Sequence, residues 1–472
     1  MNIWKPLCLL VITAGCSAAA VMGQTRPLTL QEALQTGLKN YQSIKAKENY
    51  AKAATENISA VKREYLPDLN LSAQNSYGTV NGENGPMWGY KGWTTGASGP
   101  AMPSQNWNAA FGGLYLANIS WDVVTFGRQH AKVLAAKEQL NTNRADLDQE
   151  TFEQQVRIAG AYLNLLAAQR LRGSMESNLK RAQDLQHIIV SRALNGLTAG
   201  VDSSIANAEV SKAKLTLVDA VNYENAQSNK LSEMMDVPAQ DFTLDTTFVT
   251  KIPNQLLETV SAQDSMSLKE QPLLKLFSSR VTLSEANQQL ISKNAMPRLS
   301  FMGVMQTRGS GFDYDYSAAN LSHYSQGYWS GVKPQVSNYL VGLNLSWTVT
   351  DLWRTHSQVA RQHYTTEGLK NEYNQTYSRL QHQLQLSEQQ IDNAVKKYRE
   401  APIGLKAASD AFLQKSTLYE NGLSNIADLA QALYNINRAE TDRDIAYNGV
   451  WQAILYKSAT VGDLQLFLSQ LQ

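Results

Sequence analysis

The chain has 472 residues, 43% of them hydrophobic and 18% charged, with a formal net charge of +1. That balance argues against a nucleic-acid partner, which calls for a basic patch or stripe. No stretch after residue 23 is apolar for the ~20 residues that a spanning helix needs, so membrane contact has to come from another architecture.

Residues 1–23 read as an export signal. Lys5 is a thin basic start, Pro6 to Ala14 an apolar core, and small residues follow. Val21-Met22-Gly23 ahead of Gln24 puts small residues at the two positions a signal peptidase reads. Thr13-Ala14-Gly15-Cys16 is a rival that resembles a lipoprotein box, with Cys16 as the lipid-bearing residue. Thr13 stands where that box usually has Leu, which ranks lipidation second. Both cysteines, Cys8 and Cys16, lie in this segment. Cleavage after Gly23 therefore leaves no thiol for a disulfide, a nucleophile or a metal.

From Leu28 to Tyr65 the apolar spacing is helical, with Thr29 and Glu32 as a capping box and Pro67 as the stop. The period then changes to two. Leu69, Leu71 and Ala73 alternate with polar residues, and after a loop so do Tyr115, Ala117, Ile119, Trp121 and Val123. The second half repeats the pattern with Leu299, Phe301, Gly303 and Met305, then Tyr339, Val341, Leu343, Leu345, Trp347 and Val349. Four strands of about ten residues, apolar on one face and aromatic near the ends, fit transmembrane β-strands. The loops within each pair, roughly Gly78–Ala110 and Arg308–Ser337, are long and suit the outside of a cell.

Next come long helical tracts. Arg128 to Leu194 predicts one helix of about 100 Å. On one heptad series within it lie Leu140, Leu147, Ala161, Ala168, Met175, Ala182 and Ile189, broken only by Gln154. Ala206, Ala213 and Ala220 continue at that spacing after a turn, which predicts antiparallel coiled-coil packing. In the second long helix Pro402 and Gly404 predict a kink.

The two halves are copies. Ser120-Trp121 matches Ser346-Trp347, Arg128 matches Arg354, His130 matches His356, Asn195-Gly196-Leu197 matches Asn421-Gly422-Leu423, and Asp202 matches Asp428, all at one offset. An ungapped offset of that length marks an internal duplication. The expected organisation is a signal peptide over 1–23, a first helix-strand-strand-helix-helix repeat over 24–250 and a second over 251–472.

No catalytic or cofactor motif is present: there is no HExxH, GxSxG, P-loop or GxGxxG. His356 and His363 are two turns apart without a carboxylate between them in ligand spacing, so no metal site is expected. His130 and His356 are expected to hydrogen-bond where strand becomes helix. Gly196 and Gly422 suit the left-handed residue that ends a helix. Thr198 and Ser424 are the expected caps of the returning helices, with Asp202 and Asp428 in their first turns, where the helix dipole favours a carboxylate whatever the function.

In their order and their duplication, these features resemble the TolC-like outer-membrane efflux proteins across essentially the whole mature chain. The resemblance rests on Leu28-Thr29-Leu30-Gln31-Glu32-Ala33-Leu34, the Pro-started strands at Pro67 and Pro297, the Trp121 and Trp347 openings and the tips at Asn195 and Asn421. It implies a mainly α fold with membrane β: long antiparallel coiled-coil helices forming an α-barrel, and four strands per chain contributing to a twelve-stranded barrel. It also implies a homotrimer in the outer membrane of a Gram-negative bacterium, its helical part in the periplasm. The implied partners are a periplasmic adaptor protein, an inner-membrane pump and outer-membrane lipid. Four strands cannot close a pore by themselves, an independent reason to expect assembly.

The resemblance further implies a periplasmic gate at the tips. Asp428 matches an acid that lines the family's cation-binding constriction, and Tyr419 matches a gating tyrosine, with Asp202 nearby. Where the family pattern carries a second acid three residues on and a basic residue before, this chain has Gln431 and Ser424. Gly196-Leu197 and Gly422-Leu423 match the surface on which adaptors dock. The expected function is a passive exit duct of a tripartite efflux or type I secretion system, without cofactor or enzymatic activity. An exported coiled-coil structural or adhesion protein with a β-rich tip is the alternative.

Overall fold

The computed structural model describes residues 27–82, 99–196, 198–245 and 265–471. The export signal, Cys16, Leu197 and most of the link between the repeats lie outside these residues. The chain divides into two compact units that cut across the two sequence repeats. One takes in the chain up to Gln42, Phe152–Asp264 and Gln383–Gln472, the other Ser43–Thr151 and Ser265–His382.

The first repeat runs α1 (Leu30–Asn40), α2 (Gln42–Arg63), β1 (Asp68–Thr79), β2 (Ala109–Val124), α3 (Arg128–Leu194) and α4 (Gly200–Met235). The second runs α5 (Pro272–Lys293), β3 (Arg298–Ser310), the short α6 (Tyr328–Val332), β4 (Val336–Ser346), α7 (Asp351–Glu420) and α8 (Ile426–Val461), followed by α9 (Gln465–Leu468). Among the described residues no helix is long and apolar enough to cross a membrane.

The unit formed by Ser43–Thr151 and Ser265–His382 holds one antiparallel sheet in the order β1-β2-β3-β4. Its register lines up the apolar alternates of all four strands. Leu69, Ile119, Gly303 and Val341 stand opposite one another, as do Leu71, Ala117, Met305 and Tyr339. These rows share one face because side chains one residue apart point to opposite sides of a strand. The next row over, Asn70, Asn118, Val304 and Leu340, belongs to the other, mixed face. Leu71 is 75% exposed and Leu343 69%, so much of the apolar face has no cover among the described residues. β1 and β4 are edge strands, each leaving a row of backbone groups free for another strand.

The repeated tryptophans explain themselves here. Trp121 Nε1 donates to the Tyr65 carbonyl (2.8 Å), and Trp347 Nε1 to the Ala295 carbonyl (3.0 Å). Each indole ties the end of a strand to the chain leaving the preceding helix. Arg128 reaches Asp122 and Arg354 reaches Asp351, whereas His130 and His356 are exposed and make no hydrogen bond among the described residues. Among the described residues the indoles and arginines, not the histidines, make the bonds at these turns. On the loop side, Asn108 Nδ2 donates to the Leu321 carbonyl, and the Tyr115 hydroxyl to that of Val332, which packs α6 and its neighbours against the strands.

In the other unit the core is built from α1, α3, α4, α8 and α9. Leu30, Ala33, Ile158, Tyr162, Leu166, Leu231, Trp451 and Phe467 are among its buried residues. Thr29 and Glu32 form the expected capping box ahead of α1. α3 is continuous over 67 residues, as the sequence predicts. Of its heptad series, Leu147 is half-buried and the rest are buried, Gln154 included. Gln154 keeps its place because Nε2 donates to the Met234 carbonyl at 2.6 Å, giving a buried amide a partner. Ala206, Ala213 and Ala220 are buried on α4, where small side chains permit close approach. α7 runs through Pro402 as one helix, so the kink expected there does not break it.

Candidate functional site at the helix tips

α3 and α4 form one hairpin and α7 and α8 the other, and both tips lie in the same compact unit. Each first helix ends alike. Gly196 and Gly422 take left-handed backbone, φ 73° and 76°, and their amides donate to the carbonyls of Ala193 and Tyr419. Leu423 N also reaches the Leu418 carbonyl (2.8 Å), completing a Schellman motif at the second tip. Asn195 and Asn421 each donate a side-chain amide hydrogen bond to the carbonyl four residues back, both at 2.8 Å. The duplicated Asn-Gly is thus a duplicated stop signal.

The returning helices start one residue later than the sequence suggests. α4 begins after Ala199, which makes no side-chain cap, and α8 begins after Asn425, whose Oδ1 accepts from Asp428 N at 2.8 Å. Thr198 and Ser424 sit one place too early in their turns to be the N-caps.

The two tips are joined to each other. The Tyr419 hydroxyl, on a side chain only 3% exposed, donates to Asp202 Oδ2 at 3.2 Å. Burial is the main cause that pushes the tyrosine's pKa up, with the Asp202 charge adding to it, so the hydroxyl keeps its proton. Tyr419 packs with Ile189, Ala206, Ile426 and Leu429. Arg192, in the last turn of α3, donates from Nη1 to the Glu420 carbonyl and lies over the Tyr419 ring, 6.0 Å from its centre. A cation there meets the negative end of α7. Farther from the tips, Arg181 and Glu440 form a two-pronged pair at 3.0 and 2.7 Å between α3 and α8.

Asp428 is not free either. Lys415 Nζ sits 2.7 Å from its Oδ2. The hydrogen bond and charge of Lys415 hold the carboxyl below its ordinary range. Gln431 turns to Asn435 on its own helix (2.9 Å) and joins neither acid. Leu423 is 74% exposed at the second tip. No group of three or more potential metal ligands occurs among the described residues.

Residues 33–235 match the model of the outer membrane efflux protein family. Solved structures share the fold over nearly the whole chain. They include the outer-membrane channel OprN (15% identity, 92% of this chain and 89% of that one, TM-score 0.72). CmeC of Campylobacter jejuni, an outer membrane channel, follows at 15% identity, 98% and 94% coverage and TM-score 0.72. VceC, an outer membrane protein of Vibrio cholerae, has 14% identity, 92% and 96% coverage and TM-score 0.71. The first repeat is thus similar in sequence to the outer membrane efflux proteins, and the whole chain shares the fold of these outer-membrane channels. No curated protein matches it.

The family match spans α1 through α4, so it includes Gly196 and Asp202 but not Tyr419, Lys415 or Asp428. What the tips bring together is a tyrosine–acid bond between hairpins and a lysine–acid bond within one. Lys415 and Arg192 are the residues that sequence reasoning missed. For Lys415 a signal was present: it and Asp428 stand equally far from the centre of the Asn421-Gly422 turn, where hairpin residues face each other. Arg192 contacts a partner in the other repeat and had no such signal.

Proposed function

We propose that this protein is a trimeric exit duct of the outer membrane, leading from periplasm to exterior in a tripartite efflux or type I secretion system. The observation that carries this is the sheet. Four strands align their apolar alternates on one largely uncovered face and leave both edges unpaired, which suits three copies closing a twelve-stranded barrel in lipid. Transport through such a duct is passive, with the energy supplied by an inner-membrane pump through a periplasmic adaptor. The exposed Leu423 beside Gly422, with the matching Gly196-Leu197 of the other tip, is the adaptor-docking surface in this reading. Asp428, Asp202, Gln431 and Tyr419 form the periplasmic gate, and the Tyr419–Asp202 bond holds it shut. The mature chain starts at Gln24, with acylation at Cys16 the less favoured alternative.

The test is purification in detergent followed by mass measurement and planar-bilayer recording. A conducting trimer is expected. A detergent-independent rod that passes no current would mean an exported structural or adhesion protein instead, and a conducting monomer would refute the shared barrel.

A further inference from the structure

Within that reading the mouth of the duct carries acids, and unpaired acids on a narrow passage gather cations. The geometry here is different. Both tip carboxylates are engaged: Asp202 by the Tyr419 hydroxyl, and Asp428 by Lys415 at 2.7 Å. Asp428 is not occupied in capping α8, because Asn425 caps the Asp428 amide. Three residues on, Gln431 adds no charge. Lys415 and Asp428 are both about half exposed, 42% and 45%, so mobile ions reach the pair and sense its sum. The pair itself sums to zero in every copy, and the other acid of the second tip, Glu420, stands where Arg192 meets the end of α7.

We propose that Lys415 is a specificity-determining residue, which masks the Asp428 carboxylate and keeps the periplasmic mouth from acting as a cation-binding ring. The proposal rests on the exit-duct reading and on the second tips facing a common axis. Like charges in a confined, poorly solvated passage interact far more strongly than on an open surface. Unmasking three carboxylates together therefore has a larger effect on ions than losing one surface pair has on the fold.

The experiment is single-channel recording of the full-length protein in a KCl gradient, with lanthanum as a trivalent probe on the periplasmic side. Lys415→Met is expected to raise the potassium-to-chloride permeability ratio several-fold and to bring lanthanum block to much lower concentration. Asp428→Asn leaves the lysine uncompensated and is expected to move selectivity the other way, towards chloride. The double variant Lys415→Met/Asp428→Asn, and the exchange Lys415→Asp/Asp428→Lys, should both return to the parent ratio. Should Lys415→Met fail to assemble, Asp428→Asn and the exchange variant still decide the matter. A conducting Lys415→Met with parental selectivity and block overturns the proposal while leaving the exit duct standing. So does a double variant that behaves like Lys415→Met alone. A parent that passes no current, and that Tyr419→Phe does not open, overturns both readings together.

Discussion

Tyr162 shows how much one buried hydroxyl can decide. It is fully buried in α3 and donates to the Leu28 carbonyl at 2.8 Å, and burial pushes its pKa well above the ordinary value. The sign follows directly. The folded state prefers the neutral phenol, so this stability is complete below about pH 10 and is lost as pH rises towards the folded pKa. Tyr162→Phe should cost about 1 kcal/mol at neutral pH, since the Leu28 carbonyl still accepts from the Asp245 amide. It should also flatten the fall in stability above pH 10. Denaturant titrations of parent and variant at pH 8 and pH 11 check both parts. Tyr419→Phe is a different case, because its partner is the Asp202 carboxylate across two hairpins. Fold stability should fall by about 1.5–3 kcal/mol, the range for a hydrogen bond to a charged group, while channel open probability in bilayers rises. An unchanged open probability would make that bond structural. At this scale the sequence was half legible. The matching offset pointed to both acids and the family resemblance to Tyr419, but no local pattern could say which acid the tyrosine would meet, since that depends on how the hairpins pack.

Elements were far more legible, because helices and strands announce themselves by period. α3 has the bounds its uninterrupted pattern predicts, and the four strands appear where alternation put them, except that β4 ends at Ser346, short of the Trp347 and Val349 that the alternation included. α6 did not announce itself: five residues, Tyr328–Val332, are too few for any helical period, and they sit in a loop rich in glycine and aromatics. Gly422, at φ 76°, is a position where any side chain strains the backbone. Gly422→Ala should cost roughly 1–2 kcal/mol at the second tip, measured by thermal melting of the assembled protein. Pro402 offers the opposite test. It lies inside a continuous α7 and removes one backbone donor there. Pro402→Ala should leave expression and assembly intact and raise the melting temperature. A variant that no longer folds would assign Pro402 a part in packing that its exposed position does not suggest.

For the whole molecule, the two faces of the sheet make the sharpest prediction. Leu343 belongs to the apolar rows, and its neighbour Asn344 points the other way. Leu343→Lys should oppose membrane insertion by about 2–4 kcal/mol if the residue lies near mid-bilayer, and Asn344→Lys should be tolerated. Outer-membrane fractionation of both variants settles it. Equal tolerance would mean that this face does not meet lipid.

The interleaving of the two compact units also bears on how the chain reaches its native state. One core joins Leu30 and Ala33 of α1 to Trp451 of α8 and Phe467 of α9. No N-terminal fragment can complete it, so α1 waits, without its final partners, until the last helices have crossed the inner membrane. Contacts between such distant parts of a chain form slowly, because the intervening loop must close before they are rewarded. Meanwhile four apolar-faced strands have no lipid to meet. Such a polypeptide calls for holding chaperones during its transit, and truncations near its C-terminus should yield degraded chains rather than shortened ducts.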